Sequence, residues 1–244
     1  DFPNLGLSNS GKTIKISSRL GFGATADVYL GSVGENKGVL KVLKNGFKHL
    51  AGHEADILGH LISTKTPFVS KCSKIKDGIL FFDEVLSPVR TLSCRHVECL
   101  LQCLSHTHKT ARVVHRDFGP DNIMETADGE IRIIDWGLAH CLCDERATHF
   151  EGTFRFACDE VLDAASKEEL RIAKAQDDLE SFWRVYFAMA DTVLWNALAA
   201  VDDGEFAVVK KLWQKFKDEN PRQADMFKAA AHLDYGTLKH IVPG

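Results

Sequence analysis

Two acid-bearing loops constrain this chain more than any other feature. The first reads Val113-Val-His-Arg-Asp117-Phe-Gly-Pro-Asp-Asn122-Ile-Met124, and the second Ile131-Arg-Ile-Ile-Asp135-Trp-Gly137. Each sets a carboxylate beside a β-branched run, which favours a short strand over a helix. The neighbouring sequence is helical, so the fold must seat these strand-edged loops among helices.

The first third alternates as strands do. Strands are expected over residues 13–20, 27–32 and 38–43, with a glycine-rich break after the first and the turn GENKG before the third. A helix is expected over 49–63, ended by Pro67. Two further strands follow at 71–75 and 79–86, joined by Lys76-Asp77-Gly78.

After Ser87-Pro88 the pattern turns helical. Residues 95–112 place Val97, Leu100, Leu101 and Leu104 on one helix face. A strand is expected over 131–134, and helices from Asp159 to the end, punctuated by Asp202-Asp203-Gly204 and Asn220-Pro221. A small strand-rich part before a larger helical one predicts an α+β fold of two lobes with a cleft between them. The expected division within a single domain is an N-lobe over about 1–86, a hinge at about 86–89 and a C-lobe over about 90–244.

Composition narrows the partners. With 45% apolar and 26% charged residues the chain is of ordinary globular type, and a net charge of −4 gives no reason to expect a nucleic acid. No apolar run approaches the roughly 20 residues that span a bilayer, so no membrane is expected. The opening residues lack a signal-peptide pattern, and the chain begins at Asp1 instead of a methionine, so a preceding segment is expected. The seven cysteines are odd in number, which predicts free thiols and a reducing compartment. His140-Cys141-Leu-Cys143 with His149 matches no usual zinc spacing.

The remaining signals concern phosphate and metal. Gly21-Phe-Gly23-Ala-Thr-Ala26-Asp-Val28 lies between two strands, where glycines let backbone amides approach phosphate oxygens. A plain hairpin turn is the commoner use of such a run, and the following strand rules out a dinucleotide fingerprint. Lys41, inside an apolar strand, needs an anionic partner if it faces inward, and Glu54 on the next helix is the candidate. The alternative is that Lys41 faces solvent, as Lys44 is expected to. Asp117 can accept a hydroxyl proton, while Asn122 and Asp135 offer hard oxygen donors. Magnesium-dependent phosphoryl transfer needs that set.

In that order, these residues resemble the protein kinase superfamily, from about Gly21 to Asp178. The resemblance implies ATP and Mg2+ as cofactors and a protein substrate carrying a serine or threonine hydroxyl. It implies a catalytic set of Asp117, Lys41, Asn122 and Asp135, with Asn122 and Asp135 on the metal. ATP would be held by Gly21, Gly23, Val28, Val39, Lys41, Glu54, Leu86, Met124 and Asp135. Glu151-Gly-Thr153-Phe-Arg-Phe-Ala157-Cys-Asp-Glu160 resembles the end of an activation segment, and Asp178 the aspartate that holds the catalytic-loop backbone. "DWG", "GTFRFACDEVL" and "DDLESFW" together resemble Crinkler-type effector kinase domains and, less closely, fungal-type protein kinases. That branch implies action in the cytoplasm or nucleus, after secretion into a host cell.

Several positions depart from the pattern. Gly119 stands where serine/threonine kinases carry a lysine, a loss worth about two orders of magnitude in rate by comparison with other single electrostatic groups. Ala26 replaces a third glycine at little cost. Trp136 replaces phenylalanine, is expected near Leu58 and His115, and needs a partner for its indole N–H. Glu160 is expected to pair with Arg222, and Arg116 with a phosphate on Thr148. Thr153 favours serine/threonine over tyrosine. Two other readings stand beside this one. One is an inactive binding module resting on Gly119 and Ala26. The other is a small-molecule kinase of aminoglycoside phosphotransferase type, against which Arg116 and GTFRFA argue.

Overall fold

A computed structural model describes residues 3–235. The chain packs as two compact units. One holds the residues up to Ser87 together with Met124–Gly137, and the other holds Pro88–Ile123 and the residues from Leu138 onward. The expected lobes were contiguous in sequence. The segment Met124–Gly137 instead joins the strand-rich unit, because its strand residue Ile133 bridges Val69 in parallel and Arg132 pairs with Glu84 at 2.8 Å.

The strand-rich unit is built on an antiparallel sheet of β1 (Ile14–Phe22), β2 (Ala26–Val33), β3 (Asn36–Leu43), β4 (Cys72–Lys76) and β5 (Ile79–Phe82), in the order β1-β2-β3-β5-β4. Alternation decides its faces. Ile14, Tyr29, Val33, Leu40, Ile79 and Phe81 form one buried cluster. Ala26, Leu43 and Leu80 pack on the other side with Ala51 of α1 (His49–Ser63). The expected strand 79–86 stops at Phe82, where Asp83 and Glu84, poor strand residues, leave the ladder. β6 (Ser87–Pro88) follows.

The helical unit begins with α2 (Cys94–His106), capped by the Ser93 side chain accepting from the His96 N–H at 3.2 Å. The expected helix 95–112 ends at His106 and continues as a π-helical turn, Thr107–Ala111, closed by Arg112 in the left-handed region. β7 (Val113–Val114) follows; the chain then leaves for the strand-rich unit, where β8 (Ile123–Glu125) and β9 (Ile131–Ile133) flank the turn at Asp128-Gly129, and returns as β10 (His140–Cys141), which pairs antiparallel with β7. The expected helices beyond Asp159 are α3 (Asp159–Ser166), α4 (Ala175–Ala190), α5 (Thr192–Ala199), α6 (Phe206–Glu219) and α7 (Pro221–Ala231), while residues 236–244 lie outside the described part. Buried Phe182 and Trp183 of α4, with Trp213 and Phe227, form an aromatic core.

The cysteines depart from expectation. Cys141 and Cys143 are joined in a disulfide, so these two are neither free thiols nor metal ligands, and five cysteines are free. The bridge closes because the turn after β10 brings two residues, one position apart from adjacency, back toward each other. Among the described residues, no helix is long and apolar enough to cross a membrane.

Candidate active site

In the strand-rich unit, strand register aligns Gly21 opposite Val28 and Val28 opposite Lys41. Residues directly opposite share a face, and so do residues two apart, so half-buried Val39 lies on the Lys41 side as well. That face packs on α1, whose buried stripe is Ala51, Glu54, Leu58 and Leu61. A glutamate within an apolar stripe needs a cation. Lys41 supplies it: Nζ donates to Glu54 Oε2 at 2.7 Å and to Asp135 Oδ1 at 2.7 Å. Lys41 therefore faces inward, while Lys44 is exposed and donates to the Gly23 carbonyl.

The electrostatics follow from burial. The side chain of Glu54 is 1% exposed and that of Lys41 11%, whereas Asp135 is 42% exposed. Burial works against a charged Lys41, but the carboxylates of Glu54 and Asp135 outweigh it and hold the ammonium above the ordinary lysine value. Asp135 thus stands half in solvent with one oxygen tied to Lys41. Its backbone is left-handed, φ 60°. Trp136 is fully buried and donates its indole N–H to the Ile133 carbonyl at 3.0 Å, the partner a buried tryptophan requires. Half-buried Met124 sits on β8 and half-buried Leu86 just before β6, both beyond the sheet that holds the glycines.

In the helical unit, the carboxylate of Asp117 is held by both oxygens. Oδ1 accepts from the Thr153 N–H at 2.7 Å, and Oδ2 from the Asn122 amide at 3.3 Å; that amide also donates to the Asp117 carbonyl at 2.8 Å. Asn122 is itself nearly buried. Gly152 makes the Thr153 contact possible. Its φ is +131°, and a Cβ there would lie 3.1 Å from Asp117 Oδ1 and 3.2 Å from the Arg116 carbonyl. Gly119, by contrast, is extended at φ −134°, and a Cβ would meet nothing closer than Thr153 Oγ1 at 3.8 Å.

Asp178 fixes the loop from below. Its buried carboxylate accepts the backbone N–H of His115 at 2.7 Å and of Arg116 at 2.9 Å, and contacts His108 Nε2 at 2.9 Å. Burial opposes its charge, but the hydrogen bonds from His108 and His115 hold the carboxyl below the usual range. These donors keep Arg116 at φ 71°, a conformation that costs an arginine energy.

Arg116 donates to the carbonyls of Leu138 at 3.3 Å and His149 at 3.0 Å, and so ties the segment after Gly137 without a phosphate. Thr148 exchanges both backbone hydrogen bonds with Arg171, each at 3.0 Å.

Glu160 does not reach Arg222. It accepts from Arg171 at 2.9 Å and Lys174 at 2.9 Å, which stand just after α3 and are therefore closer partners than anything on α7. The buried arginine of the late helices is Arg184, fully enclosed by Ala157 O, Asp159 at 2.7 Å and Glu180, with Trp213 stacked over it at 5.2 Å. Sequence reasoning missed His108, Tyr235, Arg171 and Arg184. His108 stands in the π-helical turn and bonds the Tyr235 hydroxyl, a placement no helical spacing predicts. Arg184 carried a signal: an arginine within the apolar run Phe182-Trp183-Arg184-Val185 demands buried acids.

Comparison with known proteins agrees with this geometry. Residues 84–177 match the protein kinase domain family. The structure of vaccinia related kinase 3 superposes with a TM-score of 0.70 at 17% identity, over 99% of this chain and 90% of that one. Over residues 84–177 the chain is similar to protein kinase domains. A second kinase-domain crystal structure matches with a TM-score of 0.59 at 18% identity, covering 78% of this chain and 66% of the other, and the two likenesses show the fold.

Among curated relatives, a probable serine/threonine-protein kinase of Dictyostelium discoideum is 23% identical over 54% of this chain. The serine/threonine-protein kinase Nek6 of Oryza sativa subsp. japonica is 38% identical over 35%. The matches span only 21% and 14% of those relatives' lengths.

Proposed function

We propose that this chain is an ATP- and Mg2+-dependent protein kinase that phosphorylates serine or threonine hydroxyls. The observation that carries the reading is the Lys41 bridge. A cation held between a buried glutamate and a half-exposed aspartate remains charged and can meet phosphate. Asp135 keeps a half-exposed carboxylate and Asn122 a side-chain carbonyl oxygen, each a hard oxygen donor of the kind a divalent ion takes. Magnesium retains several of its waters, so few protein ligands suffice. When bound, magnesium–ATP supplies the phosphoryl group and the charge that steadies its transfer.

The chain's own residues do the rest. Lys41, oriented by Glu54, meets the phosphates, and Gly21, Gly23, Val28, Val39, Leu86 and Met124 surround the nucleotide. Asp117 aligns the substrate hydroxyl and takes its proton; the Thr153 and Asn122 hydrogen bonds fix which way its oxygens point. Asp178 positions Asp117 through the His115 and Arg116 amides. Membership of the Crinkler-type branch, supported by the three motifs quoted above, belongs to the same proposal; action inside a host cytoplasm or nucleus follows from that branch, and autophosphorylation is proposed with the kinase activity.

The test is transfer of labelled phosphate from ATP to the chain itself and to a generic protein substrate, with Asp117→Ala and Asp135→Ala as controls. Labelling of serine or threonine that disappears in both variants is expected. If wild type transfers nothing yet is stabilised by nucleotide on heating, the chain is a binding module and the proposal fails.

A further inference from the structure

The helical unit carries two adjoining hollows beside Asp117, of about 370 and 250 Å3, which share Phe150 and Phe206 in their walls. The larger is also lined by Gly152, Thr153 and Phe154, and the Thr153 N–H is hydrogen-bonded to Asp117. The floor is aromatic, with Phe154 and Phe206 packed edge to face, their centroids 5.7 Å apart. The rim is acidic. Glu168 and Glu169 line the smaller hollow and Asp203 the larger.

These rim charges are poorly neutralised. Among the described residues, no ion pair engages Glu168 or Glu169. Asp203, its side chain 91% exposed, meets only the edge of Arg155 at 3.4 Å. Arg155 commits its guanidinium to the Leu198 and Val201 carbonyls and lies over the Phe154 ring at 4.6 Å. An apolar floor edged by two carboxylates outside any ion pair and a third only loosely paired complements a side chain that is apolar, flanked by others that are cationic. Its position next to Asp117 ties that choice to the residues neighbouring the acceptor hydroxyl.

We infer that these hollows select substrates in which the phosphorylated residue neighbours an apolar side chain and one or more lysines or arginines. The apolar side chain seats against Phe150, Phe154 and Phe206, and the cations meet Glu168, Glu169 and Asp203. The inference rests on the reading of Asp117 as the group that accepts the hydroxyl proton.

The test uses fluorescein-labelled serine peptides with a leucine and two arginines beside the serine, the same peptide with glutamates for the arginines, and one with serine for the leucine. Binding to wild type, Glu168→Lys/Glu169→Lys and Asp203→Lys is read by anisotropy at low salt, and transfer from magnesium–ATP in parallel. Thermal unfolding confirms that the exposed reversals fold.

Wild type is expected to bind the basic peptide about tenfold more tightly than its acidic twin, the scale of two or three rim-exposed charge pairs. The double reversal should bring that ratio to about two or less and raise KM without lowering kcat. Loss of the leucine should weaken binding several-fold. Equal affinity for the basic and acidic peptides, or a ratio unmoved by the reversals, overturns the inference. Transfer to every peptide without preference overturns it while leaving the kinase reading intact. Selective binding with no transfer to any peptide overturns the substrate role together with that reading.

Discussion

Replacing Asp178 should damage the helical unit far more than its distance from solvent chemistry suggests. Its carboxylate is buried and is the acceptor for two backbone amides, at 2.7 and 2.9 Å, and for His108 at 2.9 Å. In Asp178→Ala both amides lose their acceptor at a site that water does not reach. Each buried donor left unsatisfied costs about 1–3 kcal/mol, so the change should cost about 2–6 kcal/mol. Against the roughly 5–15 kcal/mol that holds a domain together, that is a large share. Asp178→Asn keeps one acceptor oxygen and turns an N–H toward the remaining donor, so its cost should fall near the lower end of that range.

The pH dependence separates charge from shape. The folded carboxyl is held below its ordinary value. Its contribution is therefore complete above the unfolded aspartate value of about 3.9 and is lost as pH falls through the lower folded value. The stability gap between wild type and Asp178→Asn should accordingly be constant near neutrality and narrow in acid below about pH 4. Urea unfolding at pH 7 and in that acid range measures the gap, and hydrogen exchange at the His115 and Arg116 amides reports the site directly. A loss under about 1 kcal/mol in Asp178→Ala, with both amides still protected, would refute the argument that this carboxylate holds the loop.

Further changes test the rest of the site. Lys41→Met removes the cation from a glutamate that is 1% exposed and should cost about 3–5 kcal/mol in thermal unfolding, partly recovered by adding Glu54→Gln. Gly152→Ala places a Cβ 3.1 Å from Asp117 Oδ1 at a φ of +131°, so about 1–3 kcal/mol and a fall in kcat are expected from calorimetry and steady-state kinetics. Arg184→Met strands Asp159 and Glu180 and should cost about 3 kcal/mol or more, whereas Arg222→Ala should stay within about 0.5 kcal/mol by chemical denaturation. A Cβ at Gly119 meets nothing closer than 3.8 Å, so Gly119→Lys should fold with an unchanged melting temperature. It should raise the transfer rate by up to about 10²-fold, and an unchanged rate would show that a charge there does not limit the reaction.

Much of this was legible because chemistry demands particular residue types. An inward lysine in an apolar strand asks for an acid, and Glu54 was the candidate acid on the next helix. Val28 and Val39 were assigned by resemblance, and the strand register then set Val28 opposite that lysine and Val39 on its face. The supporting network was harder to see. Asp178 could be assigned only by resemblance, and its partner His108 depends on a π-helical turn that shifts register within an otherwise regular helix. Glu160 was matched to the wrong arginine because sequence distance says little about which helix end lies near. Arg171, eleven residues on, reaches it after α3 ends, while Arg184 is taken by Asp159 and Glu180.

The backbone adds an argument that residue types alone could not make. Arg116 and Asp135 both adopt left-handed conformations, at φ 71° and 60°, though neither is a glycine. Such conformations cost energy and persist only where surrounding contacts determine them. Around Arg116 those contacts are the Asp178 carboxylate on its amide and two carbonyls on its guanidinium. Around Asp135 they include Lys41, and the next residue, Trp136, is locked by its bond to Ile133. Among the described residues seven non-glycines are left-handed; these two fall in the loops whose acids the sequence singled out, one in each unit, while Lys65, Phe68, Arg112, Glu168 and Leu233 lie elsewhere.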